Sequence, residues 1–191
     1  KNKVAEEDVE PGAMASLAIT HPKLWSPSSP FLYNLNISLL RKGKVIDEAG
    51  SYFAMRKSSM GADKNGIQRM LLNNEFVFQY GPLDQGWWPD GLYTAPTDEA
   101  LNFDIIKTKA MGFNMIRKHI KIEPARWYYE CDKLGLLVWQ DMPSGDLGNQ
   151  WQPNPGLLGG ADKNRTPASE SMYRKEWEVI LDQLHNFPSI V

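Results

Sequence analysis

The sequence has 191 residues, 42% of them hydrophobic and 23% charged, with a formal net charge of −2 at pH 7. These proportions exclude a disordered chain, and with no basic cluster on a near-neutral chain nucleic acid is not an expected partner. No apolar run approaches the roughly 20 residues needed to cross a bilayer, so a membrane is not an expected partner either, and Lys1-Asn2-Lys3 opens no signal peptide.

Residues 1–57 read as β structure. In Tyr33-Asn34-Leu35-Asn36-Ile37-Ser38-Leu39 apolar and polar residues alternate, the period of a half-buried strand. Arg41-Lys42-Gly43-Lys44 is a turn, followed by short strands at Val45-Ile46 and Ser51–Arg56. This is the pattern of an antiparallel meander from a sandwich, with too few strands for two packed sheets.

From about Ile67 the texture changes. Ile67–Leu72, Asn73-Asn74 and Glu75–Tyr80 read as a hairpin with an Asn-rich tight turn. A Gly/Pro/Trp loop from Gly81 to Pro96 follows. Thr97 is placed to cap a helix whose first turn carries Asp98 and Glu99 and which ends before Gly112. Phe113–Arg117 is a short strand. A second helix starts near Pro124, carries Trp127, Cys131 and Leu134 on one face, and stops at Gly135. Leu136–Trp139 is a continuous apolar strand of the buried parallel kind. A long loop runs from Asp141 to Arg165. A last helix begins at Thr166-Pro167 with Tyr173, Trp177, Ile180, Leu181 and Leu184 on one stripe, and Phe187–Val191 reads as the start of another strand.

Strands and helices that alternate in this way imply right-handed crossovers and a parallel sheet. No Gly-rich phosphate fingerprint follows any strand, which disfavours a nucleotide-binding wound sheet. An eight-stranded barrel takes about 250 residues, so residues 58–191 fit the first half of one, with 1–57 as a separate β domain. The expectation is a chain cut inside the fourth barrel strand, inclined to self-associate through unpaired sheet edges.

In such barrels the chemistry sits on loops after the carboxyl ends of the strands. The first such loop brings Asp84 and Asp90 together with Trp87 and Trp88, a surface suited to sugar hydroxyls and to the apolar face of a sugar; the alternative is a loop pinned by indole packing. The second holds Arg117 and His119, able to hold a carboxylate; Lys118 and Lys121 beside them read alternatively as a surface basic cluster. The third holds Asp141, which binds a hydroxyl, orients a neighbour or caps a turn. Cys131 lies on a packed helix face and is read as inert core. His21 and His185 are isolated, no ligand spacing suggests a metal, no cofactor is expected, and no Gly-x-Ser-x-Gly elbow supports acyl transfer.

His21–Pro27 followed by Pro30–Leu35 resembles the late strands of the immunoglobulin-like β-sandwich in family 2 glycoside hydrolases, which include β-galactosidases, β-glucuronidases and β-mannosidases. Tyr52-Phe53-Ala54-Met55-Arg56 stands where that sandwich ends in a Phe-Gly-Phe-Arg-like strand, with Ala54 in place of glycine. Leu72–Phe78 resembles the family's hairpin into its (β/α)8 TIM barrel, Gly112–His119 its second barrel strand, and Cys131–Asp141 its second helix and third strand. The resemblance implies an exo-acting, retaining hydrolase of a β-linked sugar, with periplasmic or extracellular location favoured. Two glutamates carry that chemistry, an acid/base and a nucleophile about 5–5.5 Å apart. By resemblance the first lies a few residues beyond Val191 and the second later still, so no catalytic residue is assigned in this chain. The resemblance matches Arg117 to an arginine that helps set the nucleophile's surroundings. It places His119 one residue short of a family histidine, and Asp141 where some members carry a site carboxylate and the mannosidase-like ones the same Trp-Gln-Asp. Two other readings are a non-catalytic carbohydrate-binding module using Trp87, Trp88 and Asp84, and a small α/β enzyme using Asp84, Asp90 or Asp141 as its acid and base.

Overall fold

The computed structural model describes residues 3–144 and 165–191, and the chain divides into two units, Lys1–Phe76 and Val77–Val191. In the first unit, β1 (Tyr33–Arg41) and β2 (Lys44–Phe53) form an antiparallel hairpin whose register runs from Tyr33 opposite Phe53 to Arg41 opposite Lys44. Lys42 and Gly43 both take positive φ, the turn whose twist matches the flanking strands. The sequence suggests two short pieces where β2 runs unbroken. Asp47, Glu48 and Gly50 have low strand propensity, yet pairing with β1 carries them, and Ser38 Oγ donates to Glu48 at 3.1 Å.

Only one end of this hairpin is buried. Tyr33 stacks on Phe53 at 5.1 Å, meets Phe31 edge-on at 4.8 Å, and its hydroxyl accepts from the Lys23 backbone N–H. Trp25 is fully buried nearby in sequence, and its N–H donates to the Met55 carbonyl. Farther along β1 the expected half-burial does not occur: Ile37 is 54% exposed, because nothing within the described residues covers that face.

Three strands follow where one hairpin is expected. β3 (Ser58–Ala62) pairs with β4 (Gln68–Leu72), which pairs with β5 (Glu75–Phe76). The Asn-rich turn stands as expected, with Asn73 and Asn74 at φ 55° and 68°. β3 escapes notice because Ser58-Ser59-Met60-Gly61-Ala62 has little strand propensity of its own. Its register is set instead by the turn at Asp63, whose carboxylate accepts from the Asn65 and Ile67 N–H groups and from Arg69.

The second unit is an alternation of parallel strands and helices. Its sheet has the order β6 (Leu83–Asp84), β7 (Met115–Lys118), β8 (Leu137–Gln140), all parallel. The first strand of this sheet is therefore Leu83-Asp84, inside the stretch that its Gly and Pro content marks as loop, and not the arm at 75–80. Helix α1 (Asp98–Ala110) joins β6 to β7 and α2 (Ala125–Leu134) joins β7 to β8. The Thr97 hydroxyl accepts from the Ala100 N–H and caps α1, while Gly135, at φ 71°, ends α2 in the left-handed conformation. Lys109 links the two helices by donating to the Gly135 carbonyl at 2.7 Å. Leu101 and Ile105 of α1, Ile116 of β7, Trp127, Tyr128 and Cys131 of α2 and Val138 of β8 form one buried core.

Helix α3 (Pro167–Leu184) is capped by Thr166 and reaches that core with its final turn. The apolar stripe read from the sequence is only partly used. Leu184 is buried and Ile180 packs against the core, while Trp177 is 47% exposed and Leu181 is exposed as well. The chain then turns so that Ser189–Val191 lies parallel beside β8: Val138 N–H donates to Ser189 O and Val191 N–H to Val138 O. The buried Asp132 carboxylate accepts the Ser189 N–H at 2.8 Å and anchors that turn to α2. Most of the long loop read from Asp141 to Arg165 lies outside the described residues.

Candidate functional site

The carboxyl ends of β6, β7 and β8 bring three loops to one end of the sheet, where parallel α/β folds place their ligands. Arg117 is the third residue of β7 and pairs in register with Trp139 of β8, so its side chain emerges beside the chain that leaves β8. There it meets Asp141. Nε lies 3.0 Å from Oδ1 and Nη2 2.9 Å from Oδ2, a two-pronged ion pair. The carboxylate pushes the Arg117 guanidinium above its ordinary range, chiefly by hydrogen bonding to it. Arg117, expected to hold a carboxylate, thus holds that of Asp141.

Lys118 points the other way. Its ammonium is buried and bonds Asp84 Oδ2 of β6 and Glu123 Oε1, each at 2.7 Å, and it lies 4.6 Å from the centre of the Trp127 ring. Lys121 is buried too, donating to the Gly86 carbonyl at 2.6 Å and pairing with Glu123 at 3.0 Å. Reading these two lysines as a surface basic cluster is therefore incorrect. A charge removed from water needs a partner, and Asp84 and Glu123 supply them. A second net binds the neighbouring loop: the Tyr128 hydroxyl donates to Gln140 Oε1 at 2.6 Å, and Gln140 Nε2 donates to the Lys121 and Asp141 carbonyls. Burial pushes the Tyr128 phenol well above its usual value, so it stays protonated as a donor.

The remaining expected residues divide by exposure. Trp87 is 53% exposed and packs on Tyr93 with ring centres 4.3 Å apart, a partner the sequence reading did not include. Trp88 is bridged through its backbone to Leu92, and its indole Nε1 is buried with no hydrogen-bond partner among the described residues. Asp90 is exposed at the tip of that loop. His119 donates its backbone N–H to the Asp84 carbonyl, while its ring Nδ1 is buried and unpartnered among the described residues. The structure thus gathers Asp84, Trp87 and Trp88 on one loop, with Arg117 and Asp141 as a bonded pair across the next two strand ends.

Sequence reasoning missed Glu123, Tyr128 and Gln140. The signal was a lysine at the end of Met115-Ile116-Arg117-Lys118, a strand flanked by helices, which demands a buried counter-charge. Among the described residues no group of His, Cys, Asp and Glu is arranged to hold a metal ion. No described helix is long and apolar enough to cross a membrane.

Comparison with known proteins gives a consistent picture. Residues 1–56 match the family model for glycosyl hydrolases family 2. A putative β-glucuronidase of Formosa agariphila is 33% identical over 133 residues, 68% of this chain and 12% of that protein. A β-galactosidase of Lactococcus lactis is 28% identical over 132 residues, again 68% of this chain and 12% of the relative. Among solved structures, a β-glycosidase from Bacteroides vulgatus aligns over 91% of this chain and 20% of its own, with TM-score 0.67 and 26% identity. The chain therefore spans about an eighth to a fifth of the length of these proteins. In these matches and in the order of its strands and helices, the chain is similar to a part of family 2 glycoside hydrolases.

Proposed function

We propose that the chain is the part of a retaining β-glycosidase that joins the end of an immunoglobulin-like sandwich, residues 1–57, to the front half of a (β/α)8 barrel, residues 58–191. One observation carries this reading: β6, β7 and β8 run parallel with helical crossovers, Ser189–Val191 continues the sheet beside β8, and the Arg117–Asp141 pair stands at the carboxyl ends. Its similarity to a β-glucuronidase-like protein and to a β-galactosidase supports a β-glycoside as substrate.

In this reading the segment builds one wall of the sugar site. Trp87 offers a ring face to the apolar side of a pyranose, and Asp90 accepts from its hydroxyls. The indole N–H of Trp88 and the ring nitrogen of His119, without partners among the described residues, are further groups suited to hydroxyls. Arg117 and Asp141 form a rigid charge pair beside the reacting centre. Asp84 is already bonded to Lys118 and serves to hold its loop. The two glutamates that break the bond belong, by resemblance, to later strands. One protonates the leaving oxygen, and the other attacks the anomeric carbon to form a glycosyl-enzyme that water then opens.

The test compares two proteins. The longer gene product that contains these residues should hydrolyse p-nitrophenyl β-D-glucuronide or β-D-galactoside, and the purified 191-residue chain should hydrolyse neither. Turnover by the 191-residue chain would overturn the assignment. The exposed Trp87–Tyr93 pair favours one second reading, a carbohydrate-binding module. That reading requires the 191-residue chain to bind oligosaccharides calorimetrically without cleaving them.

A further inference from the structure

β6 is only two residues long, and its backbone hold on β7 is correspondingly slight: Arg117 N–H donates to Pro82 O and His119 N–H to Asp84 O. The loop that leaves β6 carries Trp87 and Trp88 within four residues of Asp84. Something besides the strand must fix it.

The Gly86 turn lies directly against buried charge. Its φ of +65° suits glycine, and a Cβ there would fall 2.4 Å from Glu123 Oε1 and 2.7 Å from Lys118 Nζ. Lys121 bonds the Gly86 carbonyl at 2.6 Å, and its ammonium lies 5.4 Å from the centre of the Tyr93 ring, against which Trp87 packs. Lys118 draws Asp84, at the end of β6, to Glu123 in the next loop. Two ammonium groups and two carboxylates thus balance one another in a buried place where apolar side chains of similar volume would stabilise as well. Their directional bonds do what apolar packing does not: they specify the path of one loop relative to the next.

We propose that the Asp84–Lys118–Glu123–Lys121 cluster is a positioning clamp that fixes the Gly86 turn, and through it the Trp87–Trp88 platform, over the carboxyl end of the sheet. The part it plays in substrate binding rests on the glycosidase reading; the clamp itself does not. Lys121 is the positioning residue that reaches both the turn and the partner ring. Losing its ammonium frees the platform while leaving the Lys118 pairs in place.

The 191-residue chain labelled with 5-fluorotryptophan tests the clamp by fluorine NMR, with Trp87→Phe and Trp88→Phe assigning the two lines. In Lys121→Met and in Gly86→Ala, both lines should shift and broaden while those of Trp25 and Trp177 stay in place; the Trp127 line, whose ring lies against Lys118, is not a control. Leu101→Ala, a core truncation on α1, should lower stability without moving them. Trp87 and Trp88 lines that coincide with the parent's in either folded variant overturn the proposal. In the longer gene product, Lys121→Met should raise KM for the aryl β-glycosides by about tenfold with kcat within about twofold, the signature of lost uniform binding. A fall in kcat at unchanged KM overturns the platform's role in binding. A gene product inactive on both aryl glycosides removes the glycosidase reading, and the fluorine spectra still decide the clamp.

Discussion

Arg117 and Asp141 meet across the ends of two parallel strands, with Nε 3.0 Å from Oδ1 and Nη2 2.9 Å from Oδ2. Trp139, the cross-strand partner of Arg117, lies two residues before Asp141, so the strand register itself delivers the carboxylate to the guanidinium. The pair is half open to water, with Arg117 47% exposed, and exposed ion pairs contribute about 1 kcal/mol or less. Its value is geometric. Arg117→Lys keeps the charge and loses the planar fork. The variant chain should unfold within about 1 kcal/mol of the parent in urea, while glycoside hydrolysis by the longer gene product should fall by about tenfold or more. Unchanged hydrolysis would show that the pair has no part in the site.

The buried cluster behaves oppositely. Glu123 accepts from both Lys118 and Lys121, so neutralising it as Glu123→Gln leaves Lys121 paired only to a carbonyl. Breaking a buried pair costs about 3–5 kcal/mol; because Asp84 still serves Lys118, about 3 kcal/mol is expected here. Adding Lys121→Gln to Glu123→Gln should cost less than the sum of the two single changes, since the second removes the charge that the first orphaned. Urea denaturation of the four proteins measures both. A Glu123→Gln chain as stable as the parent would remove the cluster from the account of how this unit is held.

The helices and the parallel strands β7 and β8 are legible because local rules agree with the final packing. Thr97 caps α1, Gly135 ends α2, and the apolar run at Leu136–Trp139 has the texture of a strand covered on both faces. The misses share a different cause, which is that the deciding interactions are distant in sequence. β3 is a strand because β4 pairs with it, and Leu83-Asp84 is a strand because β7 pairs with it. Residue type marked both as loop. At the site, Arg117 and Asp141 stood out separately, but their bond spans 24 positions. The cluster stayed hidden because Lys118 and Lys121 look solvent-exposed until the covering loop is in place, and that loop is held by the cluster itself.

The Cys131 thiol lies fully buried on the inner face of α2, as its helical spacing predicts. Burial, followed by the neighbouring charge of Asp132, pushes it well above the ordinary 9.0. In the folded chain it should therefore resist Ellman's reagent at pH 8, and react at the rate of chain opening once urea is added. The same shift makes stability fall at high pH. An unfolded thiol ionises near its ordinary value while the folded one keeps its proton, so rising pH draws the chain toward the unfolded state. Rapid labelling of the native chain would contradict the packing of α2 against the sheet.

Asp63 gives the acid counterpart. The Ile67 N–H first, then the Arg69 guanidinium and the Asn65 N–H, hold its carboxyl below the ordinary 3.8. Above that value the side chain is ionised in both states, and the turn between β3 and β4 keeps its full contribution. As pH falls through the depressed folded value, the carboxylate takes up a proton, those bonds weaken and the contribution is lost. Asp63→Asn should therefore lower stability at neutral pH, because the amide cannot pair with Arg69 as a charge. It should also make the β3–β4 turn less sensitive to acid than in the parent. Amide exchange at Ile67 and Arg69, followed from neutral pH to below the ordinary carboxylate range, reads both effects at the turn. The expected result is faster exchange in the variant at pH 7, with the difference closing as the parent's own carboxylate is protonated. A difference that widens on acidification would mean that the turn is held by something other than the Asp63 charge.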